Sequence, residues 1–237
     1  MLILPQNSPS TATLADNLQR LRARIVAAAA AAGRSEDQIT LVAVSKGQPE
    51  GRLRAAARLG LEDFAENYLQ EALPKLDALS GLALTWHFIG RLQANKTRAV
   101  AERFQWVHGI DRLRIAERLA EQRPPGAPPL NVLLQVNIAR DESKAGVEPA
   151  AAPELAAAVG ALPRLALRGF MCVLPEGLDV SGRRAGFAAL RRLLEDCNAR
   201  GARLDALSMG MSGDFEAAVL EGATHVRIGT ALFGPRP

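Results

Sequence analysis

Lysine is scarce in this chain. Of its 29 Lys and Arg residues only Lys46, Lys75, Lys96 and Lys144 are lysine. A lysine can form an imine and an arginine cannot, so a lysine kept in an arginine-rich sequence draws attention to its amine. Cysteine is nearly absent as well. Cys172 and Cys197 are too few for a disulfide framework, and a reducing cytoplasm is the expected compartment. Long apolar runs are missing. The longest, Ile25 to Ala32, has eight residues, mostly alanine, too short to span a bilayer. The N-terminus, MLILPQNSPS, has no basic segment followed by a long apolar stretch. No secretory signal is therefore expected, and residues 1–10 read as a flexible N-terminus. A large excess of one charge is also lacking, since 29 basic against 25 acidic residues leaves +4, spread along the chain. Arg183-Arg184 and Arg191-Arg192 share an amphipathic pattern with Leu190, Leu193 and Leu194 and read as a solvated helix face. Neither nucleic acid nor a membrane is an expected partner.

What is present is ordinary globular material: 237 residues, 48% hydrophobic and 23% charged, enough to bury a core. Thr11 to Ala32 reads as a helix with Leu14, Leu18, Leu21 and Ile25 on one face, ended by Gly33. Short β-branched or apolar runs then alternate with helical patterns. The strands are expected at 39–45, 61–65, 84–89, 105–109, 131–138, 165–173, 204–208 and 225–228. Strands separated by helices pair in parallel through right-handed crossovers. Eight such units predict a single closed (β/α)8 TIM barrel with an extra N-terminal helix, occupying residues 11–237. An open doubly wound sheet would need a GxGxxG phosphate loop, and the sequence has none. The stretch Pro124 to Pro129 lies between a helix and a strand of the same series, so it reads as a stiff loop, not a linker.

In such a barrel the chemistry sits at the C-terminal ends of the strands. Strand one ends in Ser45-Lys46, strand two in Glu66-Asn67, strand seven in Ser208-Met-Gly-Met-Ser212, and strand eight carries Arg227 before Gly229-Thr230. Strand five exits through Asp141-Glu142-Ser143-Lys144, a solvated lip. Lys46 follows the apolar VAVS run, and partial desolvation at a barrel lip makes an amine nucleophilic. Arg227 lies in the apolar strand THVRIGT, so it needs an acceptor, either a structural partner or a ligand. Gly229-Thr230 and Ser212 occupy the loops after strands seven and eight, the usual phosphate corner of this fold. His87, His108 and His225 sit in strands without metal-ligand spacing and read as core histidines, and no metal is expected. Cys172 and Cys197 read as packed thiols. An amine facing a phosphate corner, with an arginine between, fits a small molecule bearing an aldehyde and a phosphate. Pyridoxal 5'-phosphate (PLP) is one such molecule, and a phosphorylated sugar or aldehyde is another.

The runs LVAVSKGQP, FAENYLQEALPK, TWHFIGRLQANKTR, VNIARDESKAGV, LRGFMCV and LSMGMSGDFEAAVLEGATHVRIGTALFG resemble the pyridoxal phosphate homeostasis protein family, also called the YggS/PROSC family. The resemblance spans about Ile39 to Gly234, in the family's order. It implies a barrel like the N-terminal domain of alanine racemase, with PLP held as a Schiff base. By that likeness Lys46 of the SK motif is the cofactor lysine, and Asn67 of the AEN motif lies near the cofactor. Met209 and Ser212 fall at the phosphate side, Arg227 at the pyridine nitrogen, and Gly229 and Thr230 at the phosphate. The chain departs from the pattern at Gly47, Arg91 and Gly213, none of them a mapped contact.

The resemblance also implies a cytosolic protein that binds, buffers or delivers PLP, with no catalytic residues assigned. An arginine beside the pyridine nitrogen disfavours its protonation and weakens the ring as an electron sink. Racemisation needs an acid–base group on each face of the substrate. The sequence runs out at Pro237 just after strand eight and its only tyrosine is Tyr68, so no tyrosine base from a second domain is expected. The expected protein is a monomeric carrier with apo PLP-dependent enzymes as recipients. The alternatives are a PLP-dependent amino-acid racemase or related fold-type III enzyme, and a Schiff-base aldolase. Lys144 is a second amine at the strand-five lip that could hold PLP during transfer.

Overall fold

The computed structural model describes residues 11–141 and 144–235. The N-terminal residues 1–10 and the lip residues Glu142 and Ser143 lie outside the described residues, so the expectations placed on them go no further. Eight parallel strands, β1 (Thr40–Val44), β2 (Asp63–Glu66), β3 (Thr85–Phe88), β4 (Trp106–Ile110), β5 (Leu130–Gln135), β6 (Leu165–Met171), β7 (Ala206–Ser208) and β8 (His225–Ile228), follow one another around a closed barrel. The sheet closes where β1 meets β8, with Val42 opposite Arg227. The helices between them are α2 (Glu50–Arg58), α3 (Leu69–Ala78), α4 (Thr97–Arg103), α5 (Leu113–Gln122), α6 (Ala152–Gly160), α7 (Val180–Ala199) and α8 (Phe215–Leu220). The expected barrel and its order of elements are thus the observed ones, with ends differing by a few residues.

The extra helix α1 (Thr11–Ala31) lies against α8 and a short α9 (Thr230–Phe233). Its apolar stripe explains the docking. Leu14, Leu18, Leu21 and Ile25 are all buried, and Asn17 Nδ2 donates to the Leu232 carbonyl at 2.9 Å. The sequence reading did not anticipate α9. Its four residues begin straight after the last strand and are too few to show a helical period.

A bulge shapes the sheet between β5 and β6. Val132 pairs with Leu167 but Leu133 pairs with Gly169, so Arg168 is skipped. Gly169 has φ +151°, and a Cβ there would run into the Ala206 carbonyl oxygen. The skipped Arg168 is bound through Nε and Nη2 by Asp205 at 2.8 and 2.6 Å and lies over the Trp106 ring.

The proline-rich stretch is a fixed connection from α5 to β5. Arg123, only 5% exposed, donates through Nη1 to the carbonyls of Ala101 (2.6 Å) and Phe104 (2.9 Å), and through Nε to Pro128 (2.9 Å). These bonds satisfy the C-terminal end of α4 and pin the loop at the same time. Arg123→Ala is expected to cost about 2–4 kcal/mol, because it strands buried carbonyls as well as losing bonds. Urea unfolding followed by far-ultraviolet circular dichroism would show it as a lowered midpoint with an unchanged slope.

Candidate functional site

The end of β1 is held unusually well. Ser45 donates its backbone N–H to the Ala65 carbonyl at 2.9 Å and its hydroxyl to Glu66 Oε1 at 2.6 Å. Lys75, from α3, donates its ammonium to the Ser45 carbonyl (2.8 Å), to Glu66 Oε1 (2.7 Å) and to Glu71 Oε1 (2.6 Å). Glu71 also accepts the N–H of Gly47. Gly47 has φ +71°, a left-handed conformation that costs glycine little. Lys46 therefore sits, half-buried, in a turn clamped on both sides.

The charges under that turn are unequal. Glu66 is fully buried, and burial raises its carboxyl pKa even against the hydrogen bonds from Lys75 and Ser45. Its Oε2 is buried without a partner. Glu71 goes the other way. Burial alone would raise it, but bonds from Lys75 and the Gly47 amide, with the charges of Lys75 and Lys46, bring it below the usual carboxylate range. Neither Lys75 nor Glu71 was singled out as functional from sequence. Their i,i+4 spacing and the rarity of lysine were the available signals.

Beside this turn, on the neighbouring strand β8, the chain leaves the sheet through Gly229-Thr230. One small cavity of about 40 Å³ is lined by Val44, Lys46, Gln48, Gly229, Thr230 and Gly234, so the structure brings Lys46 together with Gly229 and Thr230. Ser212 Oγ accepts the Ala231 N–H at 3.2 Å, which joins the β7 loop to the start of α9. Met209 is fully buried, with its N–H on the His225 carbonyl at 3.1 Å, so it shapes the floor of the β7 loop from inside.

Asn67 follows β2, and the register places it beside the Lys46 turn, since Val44 pairs with Ala65. Its Oδ1 is buried with no partner in the protein. The loop after β3 crosses close above it, because a Cβ on Gly90 would collide with the Asn67 carbonyl oxygen. Arg227, on β8, is 4% exposed. Nη1 donates to Ser208 Oγ at 2.7 Å and Nη2 to the Cys172 carbonyl at 2.9 Å. Both acceptors are neutral, and burial lowers the guanidinium pKa from its ordinary value. Its buried charge thus has two protein acceptors and further N–H groups to offer.

The two cysteines are buried thiols as expected, and burial pushes Cys172 up to about 12. The three histidines meet inside the barrel, where His87 and His108 are fully buried. A larger cavity, about 700 Å³, lies elsewhere, between α6, the start of β6 and the end of α7. Leu165, Ala166 and Leu167 line it from the N-terminal half of β6, away from the strand ends that carry Lys46. Its one thiol, Cys197, is pushed up by burial and has no histidine base beside it in the lining, and the smaller site is the chemically meaningful one.

Comparison with known proteins agrees with this geometry. The family described as alanine racemase, N-terminal domain, matches residues 14–237. The pyridoxal phosphate homeostasis protein of Pseudomonas aeruginosa is 56% identical over 224 residues, covering 94% of this chain and 96% of that protein. Its Escherichia coli counterpart is 49% identical over 233 residues, covering 94% and 97%. Among solved structures, PipY of Synechococcus elongatus with PLP bound superposes with a TM-score of 0.84 at 36% identity, covering 93% of this chain and all of that one. Alanine racemase from Corynebacterium glutamicum, 20% identical with a TM-score of 0.70, shares the fold over 94% of this chain and 61% of its own. On the matched span and on identities near half, the chain belongs to the alanine racemase N-terminal domain family and, within it, to the pyridoxal phosphate homeostasis proteins.

Proposed function

We propose that this protein binds pyridoxal 5'-phosphate at the mouth of its barrel and acts as a carrier in PLP homeostasis, with Lys46 as the covalent anchor. The observation that carries the reading is the adjacency of the clamped Lys46 turn and the Gly229-Thr230 corner, which line one small cleft. The cofactor suits the donor set. Lys46 supplies an amine, Thr230 and Ser212 supply hydroxyls, and Arg227 supplies a buried cation. The buried Oδ1 of Asn67, unpartnered in the protein, is an acceptor that a ligand donor would satisfy. Met209 backs the phosphate side from the floor, and Gly229 precedes the first turn of α9 beside Val44. When bound, PLP supplies an aldehyde that condenses reversibly with an amine, releasing water.

The chain's own residues hold more than they activate. A guanidinium only donates, so the atom Arg227 faces is an acceptor, and its charge keeps a proton off a ring nitrogen placed there. Tyr68 stands 61% exposed before α3, and an exposed phenol is a poor second base for a racemase. The relatives nearly equal to this chain in length are named for homeostasis. On this reading residues 11–237 form one PLP-binding domain, monomeric and cytoplasmic, with apo PLP-dependent enzymes as recipients. Among the described residues no helix is long and apolar enough to cross a membrane.

The test is a spectrum. Protein incubated with PLP and freed of excess should show a visible band that borohydride removes. Peptide mapping should then place the phosphopyridoxyl mass on Lys46. Loaded protein kept with L-alanine should yield no sustained D-alanine. A reduced adduct elsewhere defeats the site, and steady D-alanine production defeats the carrier reading. Lys144 offers a separate measurement. If its amine takes part in transfer, Lys144→Ala should slow reactivation of an apo-enzyme severalfold while leaving the Lys46 band intact, and unchanged rates would dismiss it.

A further inference from the structure

His87 on β3, His108 on β4 and His225 on β8 converge with Trp106 in the barrel interior, and two of them belong to a continuous polar path. Arg227 Nη1 lies 2.7 Å from Ser208 Oγ. Ser208 Oγ lies 2.8 Å from His108 Nδ1. His108 Nε2 lies 2.9 Å from His87 Nδ1, and His87 Nε2 lies 2.9 Å from Asp63 Oδ1. The path runs from the Arg227 guanidinium to Asp63, which opens β2 with its side chain 29% exposed.

The Asp63 carboxylate at one end sets the direction of every link when both imidazoles are neutral. Arg227 can only donate, so Ser208 Oγ accepts from it and has its own hydroxyl proton to give to His108 Nδ1. With Nδ1 an acceptor, neutral His108 carries its proton on Nε2 and donates to His87 Nδ1. His87 then carries its proton on Nε2 and donates to the Asp63 carboxylate, which can only accept. Asp63 selects this assignment, because Ser208 Oγ, which accepts from Arg227, has a second lone pair and could otherwise accept from His108 as well. Each link has a donor and an acceptor, with both imidazoles neutral. Had Arg227 been paired directly with a carboxylate, its charge would be spent inside the protein. Here the acceptors that touch it, Ser208 Oγ and the Cys172 carbonyl, are neutral, and the anion stands at the far end.

We propose that Asp63, His87, His108 and Ser208 form one directed hydrogen-bond chain through the barrel that fixes Arg227 as a cation aimed at the site. They are positioning residues, and their relevance to a ring nitrogen rests on the PLP reading above. The surroundings favour neutral imidazoles. His108 faces His87 from β3, Ser208 from β7, and His225 and Arg227 from β8, with Trp106 of its own strand alongside. No carboxylate touches it among the described residues. Burial pushes His108 well below its ordinary value, and the nearness of His87, His225 and Arg227 disfavours a further positive charge there, while burial lowers His87 despite Asp63.

Imidazole nitrogens report the chain directly. In ¹⁵N-labelled protein without added ligand, long-range ¹H–¹⁵N correlations should show His87 and His108 as Nε2–H tautomers between about pH 5 and pH 8. Single His87→Gln and His108→Gln variants would assign the signals. An Nδ1–H tautomer, or an imidazolium in that range, at either residue overturns the chain. The second readout uses PLP-loaded protein. Ser208→Ala removes one of the two acceptors of Arg227 and should speed loss of PLP on dilution about tenfold and alter the pH dependence of the visible band. Ser208→Thr, which restores a hydroxyl, should restore both. An unchanged rate and pH profile in Ser208→Ala would refute positioning of Arg227 whatever the tautomers. Wild-type protein that takes up no PLP would refute the link to a ring nitrogen, while the ligand-free spectra would still decide the chain itself.

Discussion

Lys46→Ala should fold like the wild type and lose every trace of the visible band and of the borohydride-fixed adduct. The expectation is absolute because of where the other amines are. Lys75 is 8% exposed and already donates to Ser45, Glu66 and Glu71, so it is committed beneath the turn. An amine whose donors are all taken by a carbonyl and two carboxylates is not presented to an aldehyde. Lys46 itself is half-buried at the end of β1, and the clamps on its turn are made by Ser45 and Gly47 through backbone and hydroxyl groups. Removing the side chain leaves those bonds in place, so the thermal midpoint should move by only a few degrees. Non-covalent retention of PLP through the Gly229-Thr230 corner should survive in weakened form, seen by equilibrium dialysis. A wild-type band in Lys46→Ala, or an adduct on Lys75 or Lys96, would refute the assignment of the anchor.

The barrel was legible because it repeats. Each unit puts a β-branched or apolar run beside an amphipathic one, as in β1 with its Leu41-Val-Ala-Val44 run and α5 with Ile115, Ala116 and Leu119 on one buried face. Once the strands were ordered, the rule that chemistry sits at their C-terminal ends placed Lys46, Asn67, Ser212, Arg227 and Thr230 on one rim. The structure puts Lys46 and Gly229-Thr230 on one cavity, and joins the Ser212 loop to α9. The partners of these residues were not legible. That Arg227 would rest on Ser208 and Cys172 depends on how β6, β7 and β8 lean together, and no spacing encodes that tilt. The histidines read individually as satisfied core residues, which holds for His87 and His108. Their connection through Ser208 links positions 100 residues apart. The Lys75 clamp was hidden for a different reason. Its sequence signal, a Glu and a Lys four apart on a helix, is the ordinary mark of a solvated pair, and only burial makes it structural.

That burial sets the second large effect. Lys75→Met removes the ammonium and leaves Glu66, fully buried, with Ser45 as its remaining donor. Losing one partner of a buried pair costs about 3–5 kcal/mol, a large share of a domain's stability. The deficit should depend on pH with a definite sign. Glu66 already has a raised value in the folded protein, so the folded state holds a proton where the unfolded chain has released it. Such a group favours folding below its unfolded value, and the benefit is lost as pH rises through the folded value. Without Lys75 the folded value rises further. Glu71, lowered in the wild type chiefly by what Lys75 adds against burial, loses stabilisation that it supplies above its unfolded value. Both changes weaken the variant most at neutral and alkaline pH. Urea midpoints of Lys75→Met and wild type should therefore lie far apart at about pH 8 and approach each other at about pH 5. Adding Glu66→Gln to Lys75→Met removes the stranded charge and should recover more than half of the loss at the higher pH. A deficit independent of pH, or no recovery in the double variant, would mean that Lys75 stabilises the turn by packing alone. The same comparison bears on function, because the Ser45 carbonyl and the Gly47 amide that orient Lys46 are tied to this cluster. The double variant should regain stability yet still take up PLP more slowly than wild type, since glutamine restores neutrality under the turn but not the ammonium that bridges Ser45 to Glu71.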